Sequence, residues 1–295
     1  MSFALITIPE TYNYIAVFLT LRCNLRCSYC INRFGDLDAS GRMLSAGEWL
    51  VSLNRLKTRP DLPITLQGGE PSLHPGFFEI INGLRPDLPI DLLTNLQFNV
   101  DEFMGNVPPS RLQRDAPYAS IRISYHPETM DLAELQAKTL KMLGAGYSVG
   151  IWAVAHPASV QHIKAAQASC AAAGIDFRLK DFLGIYQGRK YGSYTYENAI
   201  SGEYRTVQCR SSELLIGPDG ERYRCHSDLY AARDSCGNIL ADGLSLDQEF
   251  QTCSHYGVCN PCDVKTKTDR FQRFGHTSVE IRLPVEKAEG DAAGV

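Results

Sequence analysis

Hydrophobic and polar positions alternate in two recurring patterns over the first 180 residues. Short runs rich in β-branched, aromatic and leucine residues lie at 13–21, 62–67, 88–94, 119–125, 147–155 and 175–180. Their lengths and boundaries predict strands. The segments between them, at 45–57, 76–84, 99–105, 132–144 and 158–173, predict helices. In 132–144 the leucines at 132, 135, 140 and 143 keep near-helical spacing, and Gly144 marks the stop. Six strands separated by helices predict an α/β chain built on a parallel sheet, either open and doubly wound or curled towards a barrel.

Within the strands, one face is polar. Arg122, Ser124 and His126 share a side opposite Ile121, Ile123 and Tyr125, and Asp176, Arg178 and Lys180 oppose Phe177 and Leu179. Thr20 with Arg22, and Thr65 with Gln67, follow the same rule. A parallel sheet covered by helices is apolar on its helix side, so a polar inner face predicts a wet or ligand-filled interior.

After residue 183 the texture changes. Segment 184–208, with tyrosines at 186, 191, 194, 196 and 204, reads as a linker or lid. Segment 213–224 predicts a hairpin turning at Pro218-Asp219-Gly220, and 246–252 a short helix. The division expected is therefore a first domain at 1–183, the linker at 184–208, a second domain at 209–283 and a disordered tail at 284–295.

The chain has 295 residues, 44% of them hydrophobic, and a net charge of −4. That length supports a sizeable core, and the charge gives no support to a nucleic-acid partner. No apolar run is long enough for a membrane span, and the opening residues lack the basic region of a signal peptide. A cytoplasmic protein is expected. In such a setting ten cysteines suggest metal ligands rather than a disulfide framework.

Three of them form a C-x3-C-x2-C run, Cys23, Cys27 and Cys30, directly after the first strand. Thiolates so closely spaced can bind three irons of a cubane cluster and leave the fourth iron open to a small molecule. The second strand ends in Gly68-Gly69-Glu70-Pro71, where missing Cβ atoms permit close backbone approach. Together these elements resemble the radical S-adenosylmethionine (radical-SAM) superfamily, whose GGEP segment binds the amino group of SAM. Thr94-Asn95 is similar to that family's TN(G) element, with Leu96 in place of the glycine. Ser124 stands where the family often has a polar residue near the SAM ribose or carboxylate, and Tyr29 matches the aromatic near adenine. Over roughly residues 13–181 the resemblance implies a partial (βα)6 TIM-type barrel with its site at the strand C-terminal ends.

A second group of cysteines follows. Cys209 and Cys225 are spaced C-x10-G-x4-C across the hairpin, and Cys259 and Cys262 form a later C-x2-C. Four such thiolates suit zinc or a [4Fe–4S] cluster. The arrangement resembles the twitch subdomain, a shortened SPASM domain, which implies a small hairpin-and-helix unit with one auxiliary [4Fe–4S] cluster. Cys236 and Cys253 are spare, and either can replace one of the four. Cys170 reads as a buried small residue.

The resemblance implies two [4Fe–4S] clusters, SAM as cofactor, and an electron donor such as flavodoxin or ferredoxin. It implies reductive cleavage of SAM to a 5′-deoxyadenosyl radical that abstracts hydrogen from a substrate. A small-molecule biosynthetic substrate is expected, in a net oxidation aided by the auxiliary cluster. The alternatives are maturation of a ribosomal peptide or protein, or aminocarboxypropyl transfer. Arg178 and Lys180, on the inward face of the sixth strand, are the candidates for taking up a substrate proton, with His126 at the rim. His156 ends a neighbouring strand in the same way as His126.

Overall fold

The computed structural model describes residues 4–31, 41–244, 246, 249–267 and 277–282. The tail expected at 284–295 lies outside these residues. Six parallel strands run β1 (Tyr14–Thr20), β2 (Ile64–Gly68), β3 (Ile90–Thr94), β4 (Ile121–Tyr125), β5 (Val149–Ala155) and β6 (Phe177–Asp181), paired side by side in chain order. Helices α1 (Ala46–Leu53), α2 (Phe77–Gly83), α3 (Val100–Asn106), α4 (Leu132–Gly144) and α5 (Val160–Ala172) fill the connections. Two of the helices, α1 and α3, start at identifiable signals. Ser45 and Glu48 form a capping box on α1, and Asn99 caps α3 by accepting from Asp101 and Glu102.

The continuous apolar run of β1 is buried from Ile15 onwards, as a strand covered on both faces requires. Trp49, Leu53, Phe103 and Ile163 reach the same core from the helices. β4 alternates as expected: Ile121, Ile123 and Tyr125 are buried, while Arg122 and Ser124 are half-buried on the inner face.

The hairpin of residues 213–223 departs from the expected division. Strand β7 (Arg205–Ser211) leads into β8 (Glu213–Ile216), which pairs antiparallel with β9 (Arg222–Tyr223) and parallel with β1. The hairpin therefore extends the barrel sheet to eight strands instead of standing in a separate unit. Glu213, Leu214, Leu215 and Ile216 are all buried there, so an apolar strand found its cover beside β1. Segment 184–208 contains a two-stranded ladder, Gly184–Tyr186 with Arg189–Tyr191, and most of β7.

The predicted helix at 246–252 is not found at its C-terminal end: residues 251 and 252 open strand β10 (Gln251–Tyr256), which pairs with β7. Thr252 and Ser254 are exposed while Cys253 and His255 turn inward, a period of two rather than 3.6. Strand β11 (Val279–Arg282) flanks the other side of β7. Helices α6 (His226–Tyr230) and α7 (Pro261–Val264) complete the region. Among the described residues no helix is long and apolar enough to cross a membrane.

Candidate active site at the strand ends

Parallel pairing brings the C-terminal ends of β1 to β4 together, and each end carries one of the sequence motifs. The segment after β1 holds Cys23, Cys27 and Cys30, all half-buried free thiols. This loop is tied down through residues that are not cysteines. Asn24 accepts from the Asn95 side-chain amide at 2.7 Å, and the Ser28 N–H and hydroxyl both donate to Glu128, the latter at 2.8 Å. The Tyr29 hydroxyl lies 3.0 Å from Nδ1 of His126. None of these braces uses a sulfur, although Cys23 Sγ accepts from the Leu25 N–H at 3.4 Å. Burial, with further repulsion from Cys30 and Glu128, pushes the Cys27 thiol up to about 12, and burial also raises Cys23. A cationic cluster bound to them reverses that balance and holds them as thiolates.

The two glycines at the end of β2 are required by backbone, not by a ligand alone. Gly68 has φ +155°, and a Cβ there would lie 2.1 Å from the Thr20 carbonyl oxygen. A Cβ on Gly69 would lie 2.2 Å from that of Arg22. The amides of Gly69 and Glu70 donate to Thr20 and Arg22 at 2.9 and 2.8 Å, closing the start of the cysteine loop onto β2. Pro71 is buried at the first position of a short 3₁₀ turn.

Glu70 is 1% exposed and serves as a junction. Its carboxylate accepts from the Ser72 N–H and hydroxyl, the Thr94 hydroxyl and the Asn95 N–H at 2.7 to 3.2 Å. Burial raises its pKa against those donors. The chain Glu70–Asn95–Asn24 therefore links β2, β3 and the cysteine loop. Sequence reading placed Glu70 and Asn95 at a ligand; it did not find the link, because no local pattern couples residues so far apart in the chain.

Leu96 has φ +56°, in the left-handed region where glycine is favoured, yet it is fully buried. The turn geometry is thus kept with a leucine in the glycine's place. Leu96→Gly should relieve about 1 kcal/mol of backbone strain and forfeit about 2–5 kcal/mol of side-chain packing. Net destabilisation is expected, read as a lower denaturant midpoint; a gain in stability would show that the strain dominates.

The polar inner face is only partly available to a ligand. Asp91, fully buried, pairs with Arg114 at 2.7 Å and with Arg122 at 3.1 Å. Arg178 pairs with Asp176 at 2.8 Å, donates to the Pro117 carbonyl and lies over Trp152. Asp176 and Pro117 precede their strands, so Arg178 is drawn to the N-terminal side of the sheet. The guanidinium expected on the inward face is thus captured by a nearby carboxylate. Lys180 lies one strand step nearer the mouth. Desolvation, then repulsion from Arg122 and Lys265, brings its amine down to about 7, although the side chain still touches solvent in the mouth. Burial holds His126 down to about 4, hence neutral at pH 7, with Lys180 opposing its protonation and Glu128 favouring it. Ser124 is half-buried beside Trp152 in the β4–β5 register.

A cavity of about 640 Å³ opens at this end, lined by Cys27, Tyr29, Cys30, His156, Phe182 and Tyr186 among others. Tyr29 stacks on His156 at 5.1 Å between ring centres, and Phe182 and Tyr186 meet His156 edge-on at 4.7 and 4.8 Å. The volume and mixed aromatic and polar lining suit a nucleoside-sized ligand. Two of the three thiols, Cys27 and Cys30, share this opening with an aromatic wall. Residues 17–152 match the family described as Radical SAM superfamily. Residues 17–152, just under half of the chain, are thus a Radical SAM domain. The cofactors of that family, a [4Fe–4S] cluster and SAM, fit what the site offers: Cys23, Cys27 and Cys30 as the cluster ligands, and the ends of β1 to β4 around SAM.

Curated relatives agree in part. Molybdenum cofactor biosynthesis protein 1 of Bos taurus is 37% identical over 76 residues, covering 25% of this chain and 12% of that protein. PqqA peptide cyclase of Bradyrhizobium diazoefficiens is 36% identical over 90 residues, covering 30% and 23%. The chain thus spans less than a quarter of the length of these relatives. Mycofactocin maturase MftC of Mycobacterium tuberculosis is 22% identical over 83% of this chain and 74% of its own. Among solved structures, native anSMEcpe with bound AdoMet superposes with a TM-score of 0.55 at 14% identity, over 84% of this chain and 82% of that one. That likeness extends the shared fold beyond the barrel.

In the C-terminal region Cys209 is buried, and Cys225, Cys253 and Cys259 pack with it against Val207, Tyr256 and Val264. Cys225 caps α6. Asp263 accepts from His226 Nδ1 at 2.6 Å and from its N–H, joining the residue after Cys225 to the residue after Cys262. Lys267 pairs with buried Glu213. Cys170 is fully buried on α5, as expected. Among the described residues no group of three His, Cys, Asp or Glu side chains is drawn close enough to hold a single metal ion.

Proposed function

We propose that this chain is a radical-SAM enzyme acting on a peptide segment, with SAM bound across the ends of β1 to β4 and an auxiliary [4Fe–4S] cluster in the C-terminal region. When bound, the cluster at Cys23, Cys27 and Cys30 supplies the electron that cleaves SAM reductively, and the resulting 5′-deoxyadenosyl radical takes a hydrogen atom from the substrate. The protein's own part is placement. Tyr29, His156, Phe182 and Tyr186 form a wall that excludes water and flanks the ligand; Gly68, Gly69, Thr94, Asn95 and Ser124 supply polar groups at the mouth. A small electron carrier such as flavodoxin or ferredoxin is the partner this requires.

One observation carries the peptide reading. Among the described residues β6 has no strand partner beyond β5, and its exposed edge runs directly into residues 182–186 of the cavity wall. An extended segment can add to such an edge through backbone hydrogen bonds while one side chain enters the cavity. Leu179 and Ile185 are exposed beside that route. The likeness to a peptide cyclase supports the same class. The size of the cavity favours a second reading, the small-molecule substrate expected from sequence.

The test is an anaerobic incubation of reconstituted protein with SAM, reductant and a deuterated random octapeptide pool. Deuterium in 5′-deoxyadenosine supports a peptide substrate. Deuterium transfer from a labelled metabolite pool alone would favour the small molecule, and no 5′-deoxyadenosine in any arm would overturn the radical reading.

Lys180 gives a pH prediction. With its amine near 7, it is a charged, poor proton acceptor below that value and a free base above it. Product formation limited by this group should rise as pH passes about 7, and Lys180→Met should remove that limb while leaving SAM cleavage. An unchanged profile in the variant would exclude Lys180 as the base.

A further inference from the structure

We propose that the auxiliary cluster is held by Cys209, Cys225, Cys253 and Cys259, and that Cys262 is left as a free thiol facing the barrel mouth. This rests on the reading that the C-terminal region holds a cluster. It replaces the second cysteine of the C-x2-C turn with a residue from the middle of a strand.

The register of β7 and β10 carries the assignment. Val207 pairs with Cys253 and Cys209 with Gln251, so Cys209 and Cys253 are diagonal neighbours on one face of the ladder. Such neighbours stand about 7–8 Å apart, within reach of thiolates on different irons of one cubane. Both face the apolar cluster against which Cys225 and Cys259 also pack. Cys259 is drawn there by its N–H, which donates to Ala199 at 2.9 Å. The Cys209 thiol is close enough to those of Cys253 and Cys259 to interact electrostatically, and Cys225 interacts with Cys209 in the same way.

Cys262 is absent from this group. It lies past the cap residue Asn260, inside α7, and its N–H is bound to the Asn260 side chain at 2.9 Å. The chain passes from the extended cap residue Asn260 into the helical turn that holds Cys262, and Cys262 is not part of the apolar cluster that includes Cys259. The charged groups around Cys262 are Lys265, Asp263, Lys180 and Glu213, with Tyr194 and Tyr230 beside them. These include groups of the barrel and its mouth, not the other cysteines. Arg224 gives a second, independent sign. Its guanidinium donates to the Thr252 carbonyl at 3.1 Å and neighbours Cys253 and Cys209, placing a cation beside the thiolates of the proposed set. Cys236 also lies near Arg224 but outside the apolar cluster.

The experiment counts iron and maps thiols in the full chain. In a Cys23→Ala/Cys27→Ala/Cys30→Ala background only auxiliary iron remains, about four atoms per chain. Adding Cys262→Ser should leave that iron and its absorbance near 400 nm unchanged; adding Cys253→Ser should remove more than half. The reverse result overturns the assignment. Because a Ser variant can fail to fold, the loaded wild-type protein is also alkylated anaerobically and mapped by mass spectrometry. Cys262 should be labelled and Cys253 protected until iron is stripped with a chelator; a protected Cys262 with a labelled Cys253 overturns the proposal. A background protein that folds but binds no iron instead refutes the auxiliary cluster itself, and the ligand assignment falls with it.

Discussion

Replacing Cys23, Cys27 and Cys30 together by alanine is expected to abolish 5′-deoxyadenosine formation, to lower the iron from about eight to about four atoms per chain, and to leave the apoprotein's stability nearly unchanged. The first two effects follow from the roles assigned to the thiols. The third follows from the geometry of their loop. It is held by Asn24 on Asn95, Ser28 on Glu128 and Tyr29 near His126, and none of these contacts uses a sulfur. The thiols are half-buried, so their loss should cost about 1 kcal/mol or less in total. Iron analysis, product chromatography and a thermal melt of the apoprotein give the three readouts. A variant that keeps all its iron would show the first site to be misassigned, and one that melts far lower would show that the sulfurs themselves brace the loop.

Glu70→Ala should produce the opposite profile, with a large loss of stability in the apoprotein before any cofactor is added. Four donors now spend their hydrogen bonds on this one buried carboxylate. Truncation leaves the Asn95 and Ser72 amides and the Thr94 hydroxyl facing a void. Each buried donor left unsatisfied costs about 1–3 kcal/mol, so a total of about 3–5 kcal/mol is expected. At about 2–4 °C per kcal/mol the melting temperature should fall by about 10 °C. Glu70→Gln is not a rescue, because an amide can turn only one acceptor oxygen to donors on both sides. A melting temperature within about 2 °C of the wild type would mean that the link between β2, β3 and the cysteine loop carries little energy.

The barrel was legible because its signals are local. Strand and helix positions from β1 to β6 follow from period and composition, and the helix at 132–144 was found residue for residue. The cysteine and glycine motifs were legible because each is contiguous. The rest depended on contacts between distant residues. Nothing around residue 213 announces that its strand will pair with β1, and a hairpin reads the same whether it stands alone or joins a larger sheet. Cys253 looked spare because a C-x2-C turn is the stronger local pattern; only the register of β10 on β7 brings it beside Cys209. Arg178 looked available because periodicity gives the face of a strand, not the ion pair that claims the side chain. The open edge of β6, which favours a peptide over the small molecule expected, is a feature visible only once the sheet is assembled.

The pairing of β8 with β1 also sets an order for synthesis. Glu213 meets Tyr14 and Ile216 meets Val17, so one flank of the strand that delivers the first cysteines is covered by residues made most of a barrel later. Until they leave the ribosome, β1 presents an apolar edge with unpaired backbone groups, the kind of template on which nascent chains aggregate. A truncated chain ending at residue 204 should therefore be insoluble even though it retains every strand from β1 to β6. The same delay places sheet completion after the emergence of Cys209, so iron–sulfur delivery to Cys23, Cys27 and Cys30 during translation would meet a half-open fold. Maturation of the first cysteine site thereby depends on when the partner strand of β1 emerges.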